Sequence, residues 1–256
     1  AAKAAGVKPI IGCEVYVTRR TMSDRVHGID NDPYHLVLLC ENRQGYENLC
    51  YLVSEAFVNG FYSKPRVDLE LLKQHHEGLI ALSACLAGAI PQYLMEEDYT
   101  SAKEYALKLA NIFGPERFYL EIQDHGIEEQ RSVNQGVMRL ARETGLPLVV
   151  TNDAHYLRKE DAKMQDVLLC VQTGKTVDDP NRMKFQTEEF YLKSEEELRQ
   201  LFPNCDEAFE NTVKIAERCN LEFTFHEYHL PVFPVPDGHT SEAYFREVCY
   251  QGFRER

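Results

Sequence analysis

The chain has 256 residues, 44% hydrophobic and 27% charged, with a formal net charge of −13. That size suits one large α/β domain or two small ones, and no apolar run approaches the ~20 residues needed to span a bilayer. The acidic balance argues against a broad non-specific nucleic-acid groove, leaving only a locally positive or metal-bridged contact to phosphate.

No secretory signal opens the sequence. The eight cysteines contain no Cys-x-x-Cys pair, the pattern of free thiols in a reducing cytoplasm. Residues 1–6 read as the last turn of a helix stopped at Gly6, and residues 252–256 as a helix that continues. The chain is therefore expected to be an internal segment of a longer polypeptide.

Residues 8–17 form the first expected strand, β-branched and nearly all apolar, of the kind covered on both faces. Glu14 lies inside it, and a buried carboxylate needs either an Arg partner or a metal. Residues 18–32 are polar and irregular, a surface loop. A second strand covers 33–40 with His35 at its start, either a hydrogen-bonded core residue or a ligand. A helix follows over 46–57, and Asp68 is placed to cap a helix over 69–75. Residues 78–85 make a third strand ending at Cys85, a small buried apolar residue or a thiolate ligand for a soft ion.

A short helix to Met95 and a longer one capped by Asp98 and ending at Phe113 come next. The fourth strand, 118–126, ends in Asp124-His125-Gly126, and a helix over 128–143 stops at Gly145. Residues 147–151 are a buried strand running into Asn152-Asp153-Ala154-His155. In extended backbone Asp153 and His155 share one face. Such a pair can hold one cation or orient an attacking water, or else Asp153 caps the next helix and His155 packs on Tyr156. A helix over 160–171, a short strand over 189–192, a capping box at Ser194 to Glu197 and a helix capped by Asp206 to Arg218 complete the pattern. Residues 230–238 are a Pro-rich connector, and a new helix begins near Ser241.

Strand and helix alternate, which implies parallel strands with crossover helices and chemistry at the strand C-terminal ends. Cys85, Asp124, His125, Asp153 and His155 all fall there; Glu14 and His35 fit less tidily. The mixed carboxylate, imidazole and thiolate set suits a borderline transition metal.

Six short motifs occur in order: residues 11–16, 35–39, 60–68, 82–88, 151–156 and 190–194. Together they resemble the PHP (polymerase and histidinol phosphatase) domain of bacterial replicative DNA polymerase III alpha subunits, across essentially the whole chain. The resemblance implies an α/β fold, a distorted (β/α)7 barrel whose first strands precede Ala1, with a PHP domain over 1–229 and a connector leading into a polymerase palm over 230–256. It implies a di- or trinuclear zinc or manganese site, with Glu14, His35, Cys85, Asp153 and His155 as metal residues and Asp153 and His155 as the catalytic pair. Glu121 and His125 lie near the pocket by analogy, without an assigned role.

The family's His-x-His and Asp-His motifs would lie upstream of Ala1. The site in this segment is thus expected to be incomplete, with weak or no metal binding and no hydrolysis by the segment alone. For the intact parent the resemblance implies a cytoplasmic DNA-directed DNA polymerase, with 3′–5′ exonuclease proofreading or pyrophosphate removal at the PHP site. Its partners would be primer-template DNA, a sliding clamp and a proofreading subunit. Two alternatives are a non-catalytic scaffold that stabilises the polymerase and binds a proofreading subunit, and a stand-alone PHP phosphoesterase.

Overall fold

A computed structural model describes residues 1–228 and 230–256. They divide into two compact units, Ala1–Glu222 and Phe223–Arg256. The first unit holds the strands β1 (Gly12–Val17), β2 (Tyr34–Cys40), β3 (Arg66–Val67), β4 (Leu79–Leu82), β5 (Phe118–Ile122) and β6 (Leu148–Val150). Its helices are α1 (Arg43–Val58), α2 (Leu69–Gln74), α3 (Ala89–Met95), α4 (Tyr99–Phe113), α5 (Glu128–Thr144), α6 (Ala162–Thr173), α7 (Glu195–Leu201) and α8 (Asp206–Arg218). The strands form one mixed sheet in the order β3-β1-β2-β4-β5-β6, barrel-like in its α/β alternation but not closed.

Five strands run parallel, as the alternation predicts, and β2 alone is reversed. It is antiparallel to β1, with Tyr16 opposite His35, and antiparallel to β4, with Val37 opposite Leu82. The reason was visible in the sequence: residues 18–33 contain no helix, and a parallel return in one sheet needs a crossover, usually helical. The expected strand over 189–192 reduces to a single bridge between Tyr156 and Tyr191.

The two faces of the sheet are unequal. On β2, Tyr34, Leu36, Leu38 and Cys40 are buried, while His35, Val37 and Leu39 are half-buried. The first set joins the main core with Leu49 and Leu52 of α1, Leu109 and Phe113 of α4 and Val137 and Leu140 of α5. The other face carries a smaller cluster, Ile80, Leu82, Tyr119 and Val149 with Ile215 of α8 and Cys219 just past its end. β1 alternates likewise. Coverage of this second face thins across β2, where Val37 and Leu39 still pack against the smaller cluster, and is lost at β1, where Glu14 is not buried: its side chain is 42% exposed.

Caps fix several helix starts. Asp68 Oδ1 accepts from the Leu71 N–H at 2.9 Å and Asp98 Oδ1 from the Ser101 N–H at 3.0 Å. Ser194 and Glu197 form the expected reciprocal box. α1 starts earlier than expected because Asn42 accepts from the Gly45 N–H at 3.0 Å. Asp206 is the first residue of α8 rather than its cap, and its carboxylate pairs with Arg199 at 2.6 Å. α6 begins later than expected, after a 3-10 turn over Lys159–Asp161.

The loop between β1 and β2 is organised by Arg66, a fully buried side chain. Its guanidinium donates to the carbonyls of Gly60 (3.1 Å), Asp30 (2.8 Å), Met22 (3.2 Å) and Asp24 (3.0 Å). Asp30, also buried, accepts from the Val26 N–H at 2.7 Å and from Arg20 Nε at 3.1 Å.

In the second unit, α9 (Ser241–Glu255) is capped by Thr240 Oγ1, which accepts from the Ala243 N–H at 3.2 Å. Phe245, Tyr250 and Phe253 on this helix are exposed. Among the described residues, no helix is long and apolar enough to cross a membrane.

Replacing Arg66 by Met strips four main-chain carbonyls of a charged donor. We expect a loss on the order of 3 kcal/mol in urea unfolding, with amide exchange rising selectively over residues 20–31.

Candidate metal centre

The reversal of β2 sets the geometry of the site. It brings the start of β2 to the same rim as the C-terminal ends of β1 and β4, so His35, Glu14 and Cys85 meet there. His35 Nδ1 lies 2.9 Å from Glu14 Oε1 and 4.0 Å from Cys85 Sγ. Among the described residues these three form the one group whose donor atoms all lie within 4.8 Å of one another. Glu14 thus finds His35 as its close partner, not an Arg. A carboxylate oxygen, an imidazole nitrogen and a thiol sulfur converging on one point fit a borderline divalent ion, and the thiolate favours zinc over manganese.

Cys85 reaches the rim through a turn in which Ala84 adopts φ 65°, in the left-handed region. Asp153 and His155 reach it by a similar device. Asp153 has φ 41°, so the extended backbone expected for this stretch is absent. The two side chains nevertheless come together, with His155 Nε2 3.5 Å from Asp153 Oδ1. Their donors fall outside the three-residue group but interact electrostatically with it: His35 acts on Asp153, and Glu14 on His155. Of the five expected metal residues, three form a tight cluster, and Asp153 and His155 form a separate pair that acts on it electrostatically.

The charges reinforce one another. The Cys85 thiol and the Glu14 carboxylate, both partners of Nδ1, raise the His35 pKa to about 10. Burial would raise the Asp153 carboxyl, but the hydrogen bond and charge of His155, with the charge of His35, hold it below the ordinary range. The contact with Asp153 raises His155 against the opposing effect of burial.

The other strand-end candidates do not join the cluster. Asp124 turns back to accept from the Gly126 N–H at 2.7 Å and faces Arg131 at 3.4 Å. His125 is buried, and its surroundings fix its tautomer: Nε2 donates to the Asn152 carbonyl at 2.7 Å, while Nδ1 accepts from Gln130 Nε2 at 3.0 Å. Burial lowers its pKa, which keeps it neutral. Its ring stacks on Phe190 at 4.2 Å, and Phe190 and Phe185 flank His155 at 5.6 and 4.7 Å. Asn152 is held on its other side by the Lys193 main chain, accepting from its N–H at 3.0 Å and donating to its carbonyl at 3.2 Å. Sequence reasoning missed Asn152, Phe185 and Phe190 as supports; the one available signal was a side chain able to pair with a main chain, placed directly before Asp153.

A family model described as the PHP domain matches residues 1–125. Together with the α/β fold and a mixed donor set at one rim, that match places the chain in the PHP domain family. More particularly, it is similar along its whole length to proteins named DNA polymerase III subunit alpha. It is 47% identical over 255 residues to that of Treponema pallidum, covering 99% of this chain and 22% of that protein. It is 45% identical over 263 residues to that of Thermus aquaticus, covering 100% of this chain and 22% of that protein. For Borreliella burgdorferi the identity is 41% over 258 residues, again 100% and 22%. The chain spans about a fifth of the length of these relatives.

The raised pKa of His35 gives the metal-free chain a defined pH dependence. The protonated imidazole contributes stability that is fully present below about pH 6.5 and is lost as pH rises through about 10. Urea midpoints should fall across that interval, and Glu14→Gln should flatten the fall. NMR titration of His35 should show a midpoint well above that of an ordinary histidine.

Proposed function

We propose that this chain is the PHP portion of a bacterial replicative DNA polymerase alpha subunit and that its rim is a zinc-dependent phosphoesterase site. The observation that carries the site reading is the convergence of Glu14, His35 and Cys85 within 4.8 Å. The similarity along the whole chain to alpha subunits supports the replicative context.

In this reading Glu14, His35 and Cys85 hold the ion, and Asp153 and His155 complete the site from the neighbouring turn. A divalent ion held there supplies Lewis acidity, lowering the pKa of water and withdrawing charge from phosphoryl oxygens. The Asp153–His155 pair does the proton work. Asp153 Oδ1 engages Nε2, orients the imidazole and favours its charged form, which leaves the His155 Nδ1 proton as the one to pass to a departing oxygen. His35 must lose its Nδ1 proton to become a ligand, so metal affinity rises with pH. The substrate is a phosphoester or phosphoanhydride delivered by polymerisation, either a mismatched primer 3′ end or pyrophosphate. The wider partners are primer-template DNA, a sliding clamp and a proofreading subunit, in the cytoplasm.

The decisive test is Asp153→Asn in a full-length alpha subunit carrying this sequence. We expect bound zinc and hydrolysis of a mismatched primer end or of pyrophosphate to fall together, hydrolysis by at least tenfold, with polymerisation retained. Loss of zinc with hydrolysis unchanged defeats the catalytic reading. Loss of stability and polymerisation, with no hydrolysis in either form, supports a structural role for the metal instead.

A further inference from the structure

We propose that Glu121 is a positioning residue that ties the two ligand-bearing turns of the rim into one unit. Glu121 lies in β5, the strand between β4, which leads to Cys85, and β6, which leads to Asp153. Its main-chain N–H donates to Ser83 Oγ at 2.8 Å. Its carboxylate is buried and divides its two oxygens between the turns. Oε2 accepts from the Ala84 N–H at 2.9 Å, the residue directly before Cys85. Oε1 accepts from the Thr151 hydroxyl, two residues before Asp153, and from Gln123 Nε2 at 2.8 Å.

The two turns it joins are strained. Ala84 and Asp153 both adopt positive φ, which non-glycine residues take only when their surroundings hold them there. The Ala84 amide, turned inward by that conformation, finds its acceptor in Glu121. The carboxylate is rigid and planar, so displacement of the Thr151 side is felt at the Ala84 side. Donors from two loops almost seventy positions apart in the sequence are thereby held to one separation. None of the three groups donating to the carboxylate is charged: an amide N–H, a carboxamide and a hydroxyl.

The consequence for metal binding rests on the zinc reading above; the coupling of the turns does not. Two variants test them, in the chain and in a full-length alpha subunit carrying it. Glu121→Gln keeps the volume but replaces one acceptor oxygen with an NH2 group. Thr151→Val removes the hydroxyl on one side only. Amide hydrogen exchange should rise roughly tenfold over residues 83–86 and 151–155 together in both variants, with residues 133–140 of α5 unchanged. Zinc affinity of the full-length Glu121→Gln variant should fall about 10–100-fold. The proposal is overturned if Thr151→Val loosens only 151–155, or if Glu121→Gln weakens zinc binding with exchange unchanged at both turns. If the unmutated full-length protein binds no zinc, the metal reading fails, and the exchange experiment still decides the role of Glu121. If Glu121→Gln does not fold, Thr151→Val alone decides it.

Discussion

Because β2 runs against the other five strands, its first residues share a rim with the last residues of its neighbours β1 and β4. Everything at the site depends on that reversal. In an all-parallel sheet, a histidine at the start of a strand would lie at the opposite end from Glu14 and Cys85, separated by the length of the strand. With β2 reversed, Tyr16 is opposite His35, and the histidine nitrogen reaches the carboxylate two residues earlier on β1. The connection that permits this is a helix-free loop, and such a loop has no periodic apolar face to anchor it. Arg66 replaces that anchor by drawing loop carbonyls onto one buried guanidinium. The position of the site and the burial of a distant arginine are two parts of one topological solution.

The rim also concentrates strain. Ala84 and Asp153 are non-glycine residues in the left-handed region, a conformation that costs roughly 1–2 kcal/mol each. They persist because the surrounding polar groups are buried and satisfied. Ala84 is held by Glu121, the Asn152 carbonyl before Asp153 by His125, and the Asn152 side chain by the Lys193 main chain. In a low-dielectric interior each such bond is costly to lose. The apolar core supplies most of the folding energy, and the polar layer at the ends of β4, β5 and β6 sets where the ligands point.

The sequence made the fold class and most elements legible because apolar periodicity and capping residues are local. Asp68, Asp98 and Ser194 cap where their neighbours required. It also exposed the five ligand candidates, since each interrupts an apolar strand or follows one. The less legible features were non-local. Nothing near Glu14 indicates that its face of the sheet is open, so its expected burial was wrong. Nothing in Asn-Asp-Ala-His reveals the positive φ at Asp153, which depends on bonds to His125 and Lys193 from other elements. The helix-free stretch before β2 was readable, but its consequence for strand direction needs the pairing of β2 with both β1 and β4.

The two edges of the sheet are unusually short. β3 contributes two residues and β6 three, so each presents only one or two free ladder positions to a passing strand. An open sheet normally exposes a template for intermolecular pairing. Here an incoming β-segment would gain too few main-chain hydrogen bonds to offset its ordering. Within this segment, neither short edge strand offers a long template for intermolecular pairing.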